Sequence, residues 1–163
     1  MSTTASNGTE QAAPRQGASV QGEHLVRSET SFDRAEILDL YDSVGWAAYT
    51  KTPEVLLAAL EGSSLVLTVR GGDGSILGLA RVLSDAATIC YVQDILVRPE
   101  QQGSGVGAAL FAEILERFAH VRQLLLLTDD EPGQRAFYER MGLRELRDFE
   151  GAPFRAFVRF ATA

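Results

Sequence analysis

The residues whose type and spacing most directly allow chemistry are three glycines, Gly103, Gly105 and Gly107, in the stretch PEQQGSGVGAAL at positions 99–110. A glycine-rich turn that opens a helix offers unpaired backbone N–H groups and the positive end of the helix dipole, and without a Cβ a phosphate can come close to the main chain. Three phosphate-binding patterns compete for these residues. A Walker-type loop needs G-x-x-x-x-G-K-[ST], and no lysine or hydroxyl residue opens this helix, so that pattern fails. The dinucleotide fingerprint G-x-G-x-x-A is met by Gly103, Gly105 and Ala108. There, however, the turn follows its strand directly, whereas here five polar residues, RPEQQ, separate Val97 from Gly103, and Pro99 stops the strand early. The third spacing counts from Gln102 as Q-x-x-G-x-G through Gly105 and Gly107. Beside all three stands the plain alternative of a tight strand-to-helix connection.

Other residues stand out against their surroundings. Gln93 and Asp94 form a polar pair inside the apolar run TICYVQDILV, and a buried carboxylate is costly unless it is paired. Neighbours on a strand face opposite sides unless a bulge intervenes, so at most one of the two is expected to look into a pocket. LYDSVGWAAYT brings Tyr41, Trp46 and Tyr49 close together in sequence. The acidic group Asp129, Asp130 and Glu131 precedes Pro132 and is read as capping a helix start, where carboxylates are favoured. His24 and His120 are the only histidines and Cys90 the only cysteine, which gives no zinc-ligand spacing and no internal disulfide. Cys90 and His120 are read as structural, and no metal is expected.

These groups need elements to hold them. A short strand is expected over residues 24–28, then a helix capped by Asp33 and stopped by Gly45, with Ile37, Leu38, Tyr41 and Val44 at helical spacing. Pro53 opens a second helix over residues 53–60. Strands over residues 65–70 and 76–83 flank the turn RGGDGS as an antiparallel hairpin. Residues 88–97 form a strand suited to burial on both faces. After the glycines, Leu110, Phe111, Ile114, Leu115 and Phe118 make an apolar stripe with Glu113, Glu116 and Arg117 opposite. Residues 124–127, four leucines, are expected to run parallel to the strand before the glycines. A helix with Pro132 in its first turn and Gly142 at its stop follows, then two closing strands over residues 143–147 and 154–160.

With 163 residues and 45% hydrophobic content there is material for one core, and one domain is expected over residues 23–163. Residues 1–22 are too polar to offset their ordering entropy and are expected to form a disordered tail. Neither a membrane span nor a signal-peptide core is present in the sequence, so a cytoplasmic location is expected. The net charge of −7 and pI near 4.8 argue against a nucleic-acid surface and suit a cationic or amine partner. Fourteen of the 15 basic residues are arginine, which points to a GC-rich, bacterial source.

With the elements in order, LVRPEQQGSGVGAAL resembles the GNAT superfamily of acetyl-CoA-dependent N-acetyltransferases: a strand ending in a V-x-P-type turn, then [QR]-x-x-G-x-[GA] opening a long helix. AFYERMGL, with Ala136, Tyr138, Gly142 and Leu143, is similar to that family's closing helix. The resemblance implies an α/β fold of α+β type, a mixed and mostly antiparallel sheet with a central parallel β-α-β crossover and flanking helices. It implies transfer of an acetyl group from acetyl-CoA to a primary amine of a small molecule or protein. Backbone groups of Leu96 and Val97 would pair with the pantetheine arm, and Gln102, Gly103, Ser104, Gly105, Val106, Gly107 and Ala108 would hold the pyrophosphate. Tyr138 would act as catalytic acid toward the departing thiolate, and Asp94 would orient or deprotonate the amine. Acceptor contacts would come from Tyr41, Trp46, Tyr49 and Gln93, although core packing explains such aromatic spacing equally well. Two positions depart from the family: Tyr91 stands where several relatives have a glutamate, and Glu131 where many have an asparagine. Other readings are a regulatory module that binds an acyl-CoA without turnover, and a dinucleotide enzyme. A homodimer is left open.

Overall fold

The structure is a computed structural model that describes residues 17–21, 23–150 and 155–160. Two compact units divide between Leu127 and Thr128. In the first, a six-stranded sheet runs in chain order: β1 (Ala18–Gln21), β2 (His24–Ser28), β3 (Leu65–Arg70), β4 (Ile76–Ser84), β5 (Ile89–Val97) and β6 (Gln123–Leu126). All neighbours pair antiparallel except β5 and β6, which are parallel as the four-leucine run predicts. The fold is therefore mixed α/β with a mostly antiparallel sheet, and its one crossover joins the last two described strands.

Helix α1 (Arg34–Ser43) begins where Asp33 accepts a hydrogen bond from the Glu36 amide at 2.9 Å, the expected N-cap, and Gly45 follows it at φ +77°. A single turn, α2 (Ala47–Thr50), which periodicity could not reveal in so short a span, leads to α3 (Pro53–Glu61). Ile37, Leu40 and Tyr41 of α1 and Leu56 and Leu60 of α3 pack with Val66, Ile76, Leu79 and Leu96 of the sheet. Helix α4 (Val106–Arg117) supplies a second buried stripe of Val106, Leu110, Phe111 and Ile114. Gly78 lets α4 approach: a Cβ there would lie 2.6 Å from Val106 Cγ1 and 3.2 Å from Leu110 Cδ1.

Three expectations are corrected. The tail expected over residues 1–22 contains an ordered strand, because β1 pairs with β2 and its polar side chains have partners on α4; residues 1–16 and 22 lie outside the described residues. Those partners include Glu113, expected on the solvent face but only 3% exposed. Ser19 Oγ donates to Glu113, Gln21 Nε2 donates to it at 3.0 Å, and Arg117 Nε donates to its other oxygen at 2.5 Å. No strand forms over residues 143–150 or 155–160. Within the second unit, after α5 (Pro132–Arg140), Arg135 binds Glu145 at 2.7 Å and Asp148 at 2.6 Å, which folds this segment into a 3₁₀ turn, Leu146–Asp148. Residues 151–154, of which only the last belongs to the second expected closing strand, lie outside the described residues.

Candidate functional site

The fold brings the loop after β5 and the first turn of α4 against the sheet at Gly78, which pairs with Val97. A 3₁₀ turn, Pro99–Gln101, reverses the chain, and Gly103 and Gly105 take φ of +79° and +95°, the left-handed region in which glycine is favoured. Gly105 is the N-cap of α4 and supplies no side-chain cap. Of the amides expected to hold a pyrophosphate, two are engaged inside the loop: Gln102 N–H donates to Pro99 O and Ser104 N–H to Gln101 O, both at 3.3 Å. That engagement follows from the tightness of the turn. The N–H groups of Gly103, Gly105, Val106, Gly107 and Ala108 have no acceptor among the described residues. A Cβ at Gly103 would meet nothing within 4 Å, so the space around that position is open.

The strand leading into the loop is half free. β6 pairs with β5 only from Ile89↔Gln123 to Val92↔Leu126, so residues 93–97 have no strand partner on that edge among the described residues. This segment includes Leu96 and Val97, whose backbone was expected to hold an extended ligand. At the same place β5 is bulged against β4: Arg81 pairs with Asp94 and Val82 with Val92, leaving Gln93 without a partner. The bulge resolves the question of facing raised by the Gln93–Asp94 pair, because both side chains reach the same tyrosine.

Asp94 is 1% exposed. Its Oδ2 accepts from Arg81 Nε at 2.5 Å and from Tyr41 OH at 3.0 Å, and its Oδ1 from Tyr49 OH at 3.1 Å. Gln93 Nε2 donates to Tyr49 OH at 3.3 Å. Burial disfavours the charged Arg81 guanidinium, but the hydrogen bond and charge of Asp94 outweigh it and hold Arg81 more firmly protonated than usual. Burial, reinforced by the Asp94 charge, pushes the Tyr41 and Tyr49 hydroxyls upward, so both phenols stay protonated. All three of these hydrogen bonds to the Asp94 carboxylate come from side chains of the protein, Arg81, Tyr41 and Tyr49. Tyr41, Trp46 and Tyr49 lie together, with ring centroids 5.4–6.0 Å apart. Tyr41 is fully buried and is a wall of the core rather than of a pocket, whereas Trp46 and Tyr49 are half-buried.

Tyr138 belongs to the second unit, on α5. Burial pushes its hydroxyl up to about 12, against a smaller opposing effect of its hydrogen bond with Thr128. Phe137 stands edge-on to it at 5.0 Å. Glu131 is at the N-cap of α5, but its side chain makes no capping bond; its carbonyl accepts from Gln134 and Arg135 N–H at 3.0 and 3.2 Å. The expected carboxylate cap is thus a backbone turn. Cys90 is fully buried, and burial alone pushes its thiol up to about 12, which suits the structural reading. Arg81 was missed in the sequence, although a lone arginine within ILGLARVL is the same signal as Asp94 within TICYVQDILV. His24 was missed as well; its ring nitrogen lies 3.0 Å from Ser104 O.

An open glycine turn beside an unpaired strand edge suits an extended ligand that ends in an anion. Residues 61–145, just over half of the chain, match the family model of the acetyltransferase (GNAT) domain. The chain belongs to the GNAT acetyltransferase family. It is 29% identical to a GNAT-family acetyltransferase structure from Streptococcus pneumoniae, with a TM-score of 0.69 over 83% of this chain and 98% of that one. An uncharacterized N-acetyltransferase of Pyropia yezoensis is 25% identical over 130 residues, 77% of this chain and 72% of the relative. A Gibberella zeae relative bearing an acetyltransferase name is 33% identical over 78 residues, 46% of this chain, and this chain spans 43% of that relative. Among the described residues no helix is long and apolar enough to cross a membrane.

Proposed function

We propose that this protein transfers an acetyl group from acetyl-CoA to a primary amine of a small molecule or protein. The observation that carries this reading is that, among the described residues, N–H groups at the start of α4 without an acceptor lie next to a stretch, residues 93–97, that has no strand on that edge, Val97 O accepting there from Gln102 Nε2 at 3.4 Å. The amides of Gly103, Gly105, Val106, Gly107 and Ala108 would bind the diphosphate, aided by the helix dipole. The backbone at Leu96 and Val97 would bind the pantetheine arm by strand addition. Acetyl-CoA supplies an activated acyl group as a thioester.

In the reaction the neutral amine nitrogen bonds to the carbonyl carbon, the carbon–sulfur bond breaks, the nitrogen gives up a proton to water, and the sulfur leaves as the coenzyme A thiolate, which is protonated from solvent. An alkylamine of pKa about 10.4 costs roughly 4.6 kcal/mol to neutralise at pH 7. Asp94 acts here as a positioning residue: it fixes Tyr49, and through it Gln93, at the bulge where the amine would arrive. Trp46 and Tyr49 offer aromatic faces suited to an aryl or cationic amine. Tyr138 acts on the departing sulfur. A phenol near 12 stays protonated, and full transfer to a thiolate of pKa about 8.5 would run uphill by about 5 kcal/mol, so its role is hydrogen-bond donation.

The test is release of free thiol from acetyl-CoA with a panel of amines, polyamines, aminoglycosides and peptides, alongside calorimetry of acetyl-CoA binding. Amine-dependent release is expected. Binding without turnover on any amine would instead identify an acyl-CoA-binding regulatory module, and protection by NAD but not by acetyl-CoA would identify a dinucleotide protein.

A further inference from the structure

His24, at the start of β2, reaches across to the glycine loop. Its Nε2 lies 3.0 Å from Ser104 O, and a Cβ on Gly105 would come within 3.4 Å of the same nitrogen. The carbonyl can only accept, so Nε2 carries the proton and donates. His24 is itself held in place, since it pairs with Gln21 across the hairpin, and Gln21 is bonded to Glu113 at 3.0 Å and Glu116 at 2.9 Å on α4. The hairpin therefore grips α4 by its side and touches the loop at its head.

The contact fixes more than one atom. In a planar trans peptide the C=O and N–H point in opposite directions, and no cis peptide is present among the described residues. Tethering Ser104 O toward His24 consequently aims the Gly105 N–H the other way, away from the hairpin. The flanking glycine makes the opposite orientation of this peptide accessible, because Gly105 tolerates either sign of φ. We propose that His24 is a positioning residue for coenzyme binding, holding the Ser104–Gly105 peptide so that the Gly105 amide faces the diphosphate. This inference rests on the coenzyme reading above.

The experiment compares two acyl donors, acetyl-CoA and S-acetylpantetheine, which lacks the diphosphate. His24→Ala should raise KM for acetyl-CoA about tenfold, the loss of roughly one well-formed hydrogen bond, with kcat unchanged. KM for S-acetylpantetheine and for the amine should not move. His24→Gln, whose amide N–H can reach the same carbonyl, should recover most of the acetyl-CoA affinity. Equal effects of His24→Ala on both donors, or no effect on acetyl-CoA, would overturn the proposal, the first showing a general structural role. Failure of the wild-type protein to bind acetyl-CoA in calorimetry would instead overturn the coenzyme reading itself, a result that needs no variant.

Discussion

Removing the Tyr138 hydroxyl deletes a donor and leaves the ring that packs beside Phe137, so fold and cofactor affinity should survive Tyr138→Phe. Turnover should fall by about 10²–10⁴-fold with little change in acetyl-CoA KM, the range for loss of a positioned proton donor. An unchanged kcat would remove Tyr138 from the chemistry. Asp94→Ala should behave differently. Arg81, only 6% exposed, would be left as an uncompensated buried cation, so a stability loss of about 3–5 kcal/mol is expected in urea unfolding. A loss under about 1 kcal/mol would show that water already compensates Arg81. Asp94 was legible as a residue of interest because a charge in an apolar strand needs a partner. Its partners were not legible, since Arg81 stands 13 positions away and Tyr41 53, and only pairing of β4 with β5 and packing of α1 on the sheet bring them together.

At the level of elements, Gly78 sets how near α4 lies to the sheet. In Gly78→Val the side chain would meet Val106 Cγ1 and the Leu96 carbonyl, displacing the first turn of α4 together with the loop amides. Overpacking of this kind costs about 1–3 kcal/mol, and the acetyl-CoA KM should rise severalfold as the donors lose their aim. A folded Gly78→Val with unchanged thermal midpoint and KM would show that the helix start is not positioned by this contact. Sequence patterning alone placed β2, β3 and α5 well, because turn residues and proline mark their ends. It failed on β1 for a physical reason: Ser19 and Gln21 look like a solvated tail unless the acceptor at Glu113, 94 and 92 residues away, is known. It failed on the closing strands because Arg135 redirects residues 145–148 through ion pairs that no hydrophobic period encodes.

For the molecule as a whole, Glu113 links stability to pH. Burial works to raise its pKa, but the hydrogen bonds of Ser19, Gln21 and Arg117 outweigh burial and hold the carboxyl below the usual 4.5. The folded state thus binds this proton more weakly than the unfolded chain, so the contribution is present above about 4.5 and is lost as pH falls through the depressed folded value. Glu113→Gln should therefore be about 2 kcal/mol less stable than wild type at pH 7 in urea unfolding, with the gap narrowing in acid. A gap independent of pH would assign the effect to packing rather than charge. By itself, the sequence determined the strand-turn-helix order, the glycine spacing and the family, because these depend on neighbours within a few residues. Tertiary structure alone decided which amides are free, how the bulge turns Gln93 and Asp94 onto one tyrosine, and that His24 touches the loop. Those depend on strand register and helix approach, which join residues far apart in the chain and leave no local pattern to read.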